Sequence, residues 1–286
     1  MKRIKLIILP IILLTILGIY VFDSANIGQE SPNVSLKDDS HLVKKSNNST
    51  PSPAIKTPTK FKDRPDFAKI RDVKEKKKTF FEYMLPMIRQ ANASVLAQRE
   101  SILSIREKFI NEKDLDNAEQ LLLEELLDTY HVDVENEITM AHITELLSRC
   151  DIVPAGLILA QSANESAWGT SRFAVKANNF FGLWCFKKGC GLKPADRDDD
   201  ALHEVAKFES VSHSVRYYVK TINPNNVYKN LRKIRAELRI ENETITGMVL
   251  AEGLLRYSER GKAYVKEIQS MIRYNNLSRY SLDTRT

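Results

Sequence analysis

A single carboxylate at the end of an apolar helix constrains this chain more than any other feature. Residues 154–160 read Pro-Ala-Gly-Leu-Ile-Leu-Ala, and the run continues Gln161-Ser162-Ala163-Asn164-Glu165-Ser166-Ala167-Trp168-Gly169-Thr170. Proline suits a first helical position, where its missing N–H costs nothing, and Gly169 is a ready terminator. The pattern predicts a helix from Pro154 to Trp168 with Glu165 in its last turn. There the negative end of the helix dipole and burial against Trp168 would both disfavour the carboxylate and raise its pKa. Gln161 at i−4 and Trp168 at i+3 fall on the same face, so the acid is flanked by one polar group and one aromatic ring able to stack on a ligand. Spacing alone also allows a partly buried structural glutamate.

The N-terminus bounds the setting in which such an acid works. Lys2, Arg3 and Lys5 precede an apolar run from Leu6 to Phe22, interrupted by Pro10, Thr15 and Gly18. A basic segment followed by an apolar one directs export. The run is short for a membrane span and long for a signal peptide, and no small-x-small cleavage site follows it. Residues 1–23 are therefore expected to be a signal anchor, with a cleaved signal peptide as the alternative. The positive-inside rule leaves the short N-terminus in the cytoplasm and puts the bulk of the chain on the periplasmic side of the inner membrane.

Residues 24–70 are expected to be a disordered linker, rich in Ser, Asn, Asp and Lys, with Pro51, Pro53 and Pro58 close together. From residue 71 to 131 the pattern is helical. Phe81, Ile88, Val95, Ile102 and Phe109 recur every seven residues, with Leu96, Leu103 and Ile110 one position later. Asn111 to Asp116 interrupts the stripe, and Asp116-x-x-Glu119 resembles a capping box before Leu121, Leu122, Leu123, Leu126 and Leu127. An antiparallel helical hairpin follows. Its spacing also suits a coiled-coil dimer, but the repeat is short, which favours packing onto the chain's own domain and a monomer.

Residues 132–286 are expected to form the main domain. Helical patterns cover Ile138 to Ser148, Ser212 to Asn223, Tyr228 to Glu237, Ile245 to Leu255 and Gly261 to Tyr274. Between them, Asn178 to Asp200 has no helical period, and only Leu202 to Phe208 alternates like a strand. The fold class is mainly α with a small β lobe. Cys185 and Cys190 flank a glycine-containing loop that a disulfide could pin, leaving Cys150 over. The five histidines show no ligand spacing, so no metal and no cofactor are expected. The formal charge of +6 is spread along the chain with no nucleic-acid motif, which argues against a nucleic-acid partner.

Three ordered motifs carry a resemblance. Gln161 to Gly169, Asn179-Phe180-Phe181-Gly182-Leu183-Trp184-Cys185, and Leu254-Leu255-Arg256-Tyr257-Ser258-Glu259-Arg260-Gly261 together resemble the bacterial Bax-type glucosaminidase-domain proteins. These are relatives of flagellar peptidoglycan hydrolases and autolysin glucosaminidases. The resemblance implies a lysozyme-like fold and cleavage of the β-1,4 bond on the reducing side of N-acetylglucosamine in peptidoglycan glycan strands. It implies Glu165 as general acid and Tyr257 in the catalytic centre, with Tyr264 at a later tyrosine of the same motif. Ser258, Glu259, Arg260 and Gly261 stand where Ala, Thr, Asp and Pro are usual in that motif.

Glycoside hydrolysis commonly uses a second carboxylate. The candidates are Asp196, Asp198, Asp199, Asp200, Glu204 and Glu209, of which Glu204 is the choice; without one, the substrate's acetamido group would assist. Gln161, Trp168, Asn179 and Trp184 are the candidate substrate-binding residues. The competing reading is a catalytically weak glycan-binding or scaffold protein of the cell envelope.

Overall fold

The computed structural model describes residues 61–194 and 203–284. The expected signal anchor, residues 24–60 of the expected linker, and Asp196, Asp198, Asp199 and Asp200 lie outside them. The helix α1, Val73–Ile110, runs for 38 residues and is capped by Asp72, whose carboxylate accepts from the Glu75 N–H at 2.8 Å. A complete capping box of Asp116 and Glu119 starts α2, Asn117–Thr129, as the sequence predicts. The remaining helices are α3, Met140–Arg149; α4, Ala155–Glu165; α5, Arg172–Ala177; α6, Val211–Ile222; α7, Lys229–Ile240; α8, Gly247–Leu250; and α9, Lys262–Tyr274. The described fold is mainly α.

Helix α1 lies against α2, α3, α4 and α6, so the chain itself covers its apolar stripe. That stripe is narrower than the sequence suggests. Phe81, Ile88, Val95 and Ile102 are buried, while Leu103 and Ile110 of the second series are 38% and 52% exposed. One continuous core joins Phe80 and Ile88 of α1 to Leu157 of α4, Val215 of α6 and Ile268 of α9.

At the centre lies α4, every residue of which from Ala155 to Ala163 is buried. A helix apolar on all sides must be enclosed by others, and α1, α8, α9 and a 3-10 stretch at Leu277–Thr284 enclose it. Close approach is allowed by Gly156, where a Cβ would sit 2.8 Å from the Leu277 carbonyl oxygen, and by Gly247, where it would sit 2.8 Å from the Leu157 nitrogen. Pro154 is the N-cap rather than a first helical residue, with its carbonyl accepting from Leu157 and Ile158.

The entry to α4 is fixed from both sides. Asn92 of α1 exchanges two hydrogen bonds with the Val153 backbone, at 2.8 and 3.2 Å. Arg235 of α7, fully buried, donates to the carbonyls of Asp151 and Ile152, at 3.0 and 2.9 Å, and to Asn223 Oδ1 at 2.8 Å. Buried backbone acceptors must be paired, and these side chains pair them.

Three short strands, β1 at Trp184–Cys185, β2 at Gly191–Leu192 and β3 at Glu204–Ala206, form an antiparallel sheet in the order β1-β3-β2. Trp184 pairs with Val205 and Gly191 with Ala206. At Gly191 a Cβ would meet the Val205 carbonyl oxygen at 2.0 Å, so β2 reaches β3 only without a side chain there. Cys185 and Cys190 form a disulfide across the β1–β2 turn, and Cys150 is a buried free thiol.

The expected linker extends to residue 70, but its last residues pack. Phe67 is buried against Phe80 and Tyr83, and Arg64 donates to the Ala174 and Val175 carbonyls at 2.7 and 3.0 Å. Phe67 provides apolar surface worth burying, and Arg64 satisfies carbonyls that α5 leaves free at its end. Among the described residues no helix is long and apolar enough to cross a membrane.

Candidate active site

Helix α4 ends at Glu165, three residues earlier than the sequence predicts, because Ala167, Trp168 and Gly169 all take positive φ, at 48°, 58° and 79°. This left-handed turn carries Trp168 away from the i+3 position expected for it. The Trp168 ring packs edge-on to Phe80 and Phe81 of α1, at 5.6 and 5.5 Å, with the Lys77 ammonium 5.0 Å from its centre. The partly buried ring thus packs between α1 and the end of α4.

Glu165 is half-buried and sits at the head of a directed hydrogen-bond chain. The Tyr218 hydroxyl donates to Gln161 Oε1, Gln161 Nε2 donates to the Tyr264 hydroxyl at 3.0 Å, and Tyr264 donates to Glu165 Oε1 at 2.8 Å. Gln161, expected to meet substrate, is fully buried with both its ends engaged by tyrosine hydroxyls. Asn164 Nδ2 adds a long contact to the same oxygen, at 3.4 Å. With Oε1 accepting, the proton of a neutral carboxyl belongs on Oε2. That oxygen faces Gly182, where a Cβ would come within 3.9 Å of it, and where φ of +66° favours glycine.

Burial pushes the Glu165 carboxyl above its ordinary range. The hydrogen bonds from Tyr264 and Asn164 oppose the rise, the charge of Glu267 adds to it, and that of Arg260 subtracts. Tyr257 stacks on Tyr264, ring centres 5.3 Å apart and planes 11° apart, and its hydroxyl donates to the Phe181 carbonyl at 3.0 Å. Phe181 in turn stacks on Tyr218 at 4.3 Å. Burial raises Tyr218, Tyr257 and Tyr264 far above the ordinary phenol range, so all three stay neutral donors. A half-buried acid with an elevated pKa, one oxygen anchored and the other toward an exposed glycine, is suited to giving up a proton.

The other candidates stand elsewhere. Glu204 on β3 is buried, and its two oxygens accept from the Gly189 and Gly191 amides at 3.1 and 2.8 Å. It holds the disulfide-closed turn in place. Asn179 is buried and fully engaged: it donates to the Leu183 and Ala206 carbonyls and accepts from the Phe181 and Leu183 amides. It clamps the Phe181–Leu183 turn to β3 and has no hydrogen left for a sugar. Trp184 is half-buried, with its ring stacked 4.2 Å from His203. Among the described residues, the cluster Cys185, Cys190 and Glu204 has metal-type ligand atoms, but its sulfurs bond to each other.

Sequence reasoning ranked Tyr257 above Tyr264, although Tyr264 is the tyrosine that touches Glu165. It missed Tyr218, Arg260 and Glu267. Tyr264 and Glu267 lie three apart on α9, and that spacing on a strongly amphipathic helix is the signal that could have joined them.

The glucosaminidase family, described as mannosyl-glycoprotein endo-beta-N-acetylglucosaminidase, matches residues 140–277. Protein bax of Escherichia coli (strain K12) is 30% identical over 211 residues, covering 74% of this chain and 74% of its own length. No solved structure matches significantly.

Proposed function

The chain belongs to the glucosaminidase family as a Bax-type protein, and from that premise we propose that it is an endo-β-N-acetylglucosaminidase cutting peptidoglycan glycan strands. The bond cut is the β-1,4 bond on the reducing side of N-acetylglucosamine. The observation that carries this reading is the state of Glu165: burial raises its pKa, and Tyr264 fixes Oε1 at 2.8 Å. Glu165 protonates the leaving glycosidic oxygen from Oε2. Protonation lets the C1–O bond break with the electron pair leaving on a neutral hydroxyl; a water then bonds to C1 and gives up a proton, which restores the Glu165 carboxyl, and a positioned acid contributes a rate gain of about 10² to 10⁴. Tyr264, buried beneath the stacked ring of Tyr257, holds the acid from within, and Gln161 and Tyr218 keep Tyr264 donating to it.

Lys2, Arg3 and Lys5 before the apolar run of Leu6 to Phe22 support export to the periplasmic side and anchoring in the inner membrane. The enzyme then works on glycan in the cell envelope. Release of reducing ends from purified sacculi tests the proposal, comparing wild type with Glu165→Gln. The substitution is expected to cut the rate by about 10² to 10⁴, and mass spectrometry should find new N-acetylglucosamine reducing ends. Equal rates would remove Glu165 as the acid, and N-acetylmuramic acid ends would refute the stated specificity. No release by wild type, with sacculi still bound, would leave a glycan-binding scaffold.

A further inference from the structure

Lys77 and Asn275, 198 positions apart in the chain, meet where the start of α1 reaches the end of α9: Lys77 Nζ donates to Asn275 Oδ1 at 3.0 Å. The same ammonium lies between two rings, 5.0 Å from the centre of Trp168 and 4.8 Å from that of Tyr274. This sandwich holds Tyr274 beside α1, although the residue is 83% exposed. Lys74, Lys77 and Lys78, three and four positions apart, share one face of α1. Arg273 precedes Tyr274 on α9, and Arg279 follows in the 3-10 stretch, where Tyr280 brings it to Phe81 of α1 at a ring separation of 6.5 Å. Lys74, Lys78 and Arg273 are exposed, and among the described residues no carboxylate pairs with them. The acids of this part of α1, Glu75 and Glu82, fall on the next face of the helix.

This surface is joined to the acid by two short routes. Trp168, under Lys77, stands three residues beyond Glu165. Tyr264, which donates to Glu165, stands ten residues before Tyr274 on α9, about 15 Å along the helix. An exposed, immobilised ring suits a sugar face, and unpaired cations suit carboxylates. Peptidoglycan offers both, since its sugars carry short peptides with free carboxylates. We infer that the Lys74–Lys78 face of α1, with Arg273 and Tyr274 of α9, is a second binding surface, outside the catalytic site, for the carboxylate-bearing peptides of a glycan strand. This rests on the reading of the substrate as peptidoglycan. A strand held there is kept within reach of Glu165, and the second contact raises its effective concentration at the acid.

Co-sedimentation with purified sacculi at low salt tests this, using the full chain carrying Glu165→Gln so that binding is read without cleavage. Adding Lys74→Gln, Lys78→Gln and Arg273→Gln together should weaken binding about tenfold, the combined effect of three exposed charge contacts, and added salt should erase the difference. The charge-keeping triple Lys74→Arg, Lys78→Arg and Arg273→Lys should bind like the parent, and Tyr274→Ala should bind less. Sacculi whose carboxyls have been converted to amides should bind weakly and without regard to the glutamine triple. Unchanged binding in that triple, or an equal loss on amidated sacculi, overturns the inference. Phosphatidylglycerol vesicles that bind the parent more tightly than sacculi do, and lose it in the triple, would overturn it in favour of a lipid surface. With Glu165 intact, the glutamine triple should raise KM for sacculi about tenfold and hold kcat within about twofold, the pattern of lost uniform binding. A protein that binds as stated but cuts nothing keeps this surface and removes the hydrolase reading; cutting with KM unchanged in the triple removes this surface alone.

Discussion

Glu165 sits where function and stability pull in opposite directions. Its folded pKa is raised, chiefly by burial, so the contribution it makes to stability is fully present below its unfolded pKa, about 4.3 for a glutamate, and is lost as pH rises through the folded value. At neutral pH the ionised form therefore costs stability. Glu165→Gln keeps an acceptor for Tyr264 and removes that cost, so its melting temperature should exceed wild type at neutral pH. The gain should shrink as pH falls below the ordinary glutamate range, and a variant melting lower than wild type at neutral pH would show the acid to be satisfied instead. This residue's environment was half legible. The sequence places a lone acid at the end of an apolar helix, but the ring expected to bury it, Trp168, packs on α1. Tyrosines 53 and 99 positions away in the chain do the work of enclosing it, and no local spacing reveals them.

At the scale of elements, the end of α4 depends on an unusual turn. Ala167 and Trp168 adopt left-handed φ without being glycine, a conformation that side chains disfavour and that only surrounding contacts sustain. Phe67 provides such a contact: a Cβ on Gly169 would lie 2.4 Å from its Cδ2 atom. Gly169→Ala is therefore expected to lose about 1–3 kcal/mol, measured by urea unfolding, and to lower turnover because the turn sets the direction in which Glu165 leaves the helix. A loss within about 0.5 kcal/mol, typical of surface sites, would mean the Phe67 ring moves aside at little cost. Helix-forming stretches with caps were legible as elements: the Asp116–Glu119 box and the sevenfold series of α1 lie where local chemistry puts them. The termination of α4 was not, since a glycine at 169 announces a stop without saying that two preceding residues would already have turned.

Across the whole molecule, the entry to α4 is held by a charge network centred on the buried Asp151. Arg239 of α7 donates to its two oxygens at 3.0 and 2.8 Å, and Arg99 of α1 stands 3.6 Å away. Burial pushes this carboxyl up, but Arg239, Arg235 and Arg99 together hold it below the usual carboxylate range. A depressed folded pKa gives stability that is present above the unfolded value and lost as pH falls through the folded one, so acid should loosen this junction late, below the ordinary range. Asp151→Asn leaves the guanidinium groups without their counter-charge and should cost about 3–5 kcal/mol, read from chemical denaturation at neutral pH. A loss under about 1 kcal/mol, the range of an exposed pair, would mean solvent already screens the network. The sequence marks α7 only as a helical pattern, and its Arg232 and Arg235 prove to be buried. By itself, the sequence determined the helical class, the elements that local capping and apolar periodicity specify, and the carboxyl at the end of α4, because these follow from neighbours three or four positions apart. Which tyrosine orients that acid, which arginines neutralise the entry to its helix, and that Glu204 and Asn179 are consumed within the β lobe were decided only by tertiary structure. Hydrogen bonds and charge pairs act over a few ångströms in space, and the groups that satisfy them here come from distant parts of the chain.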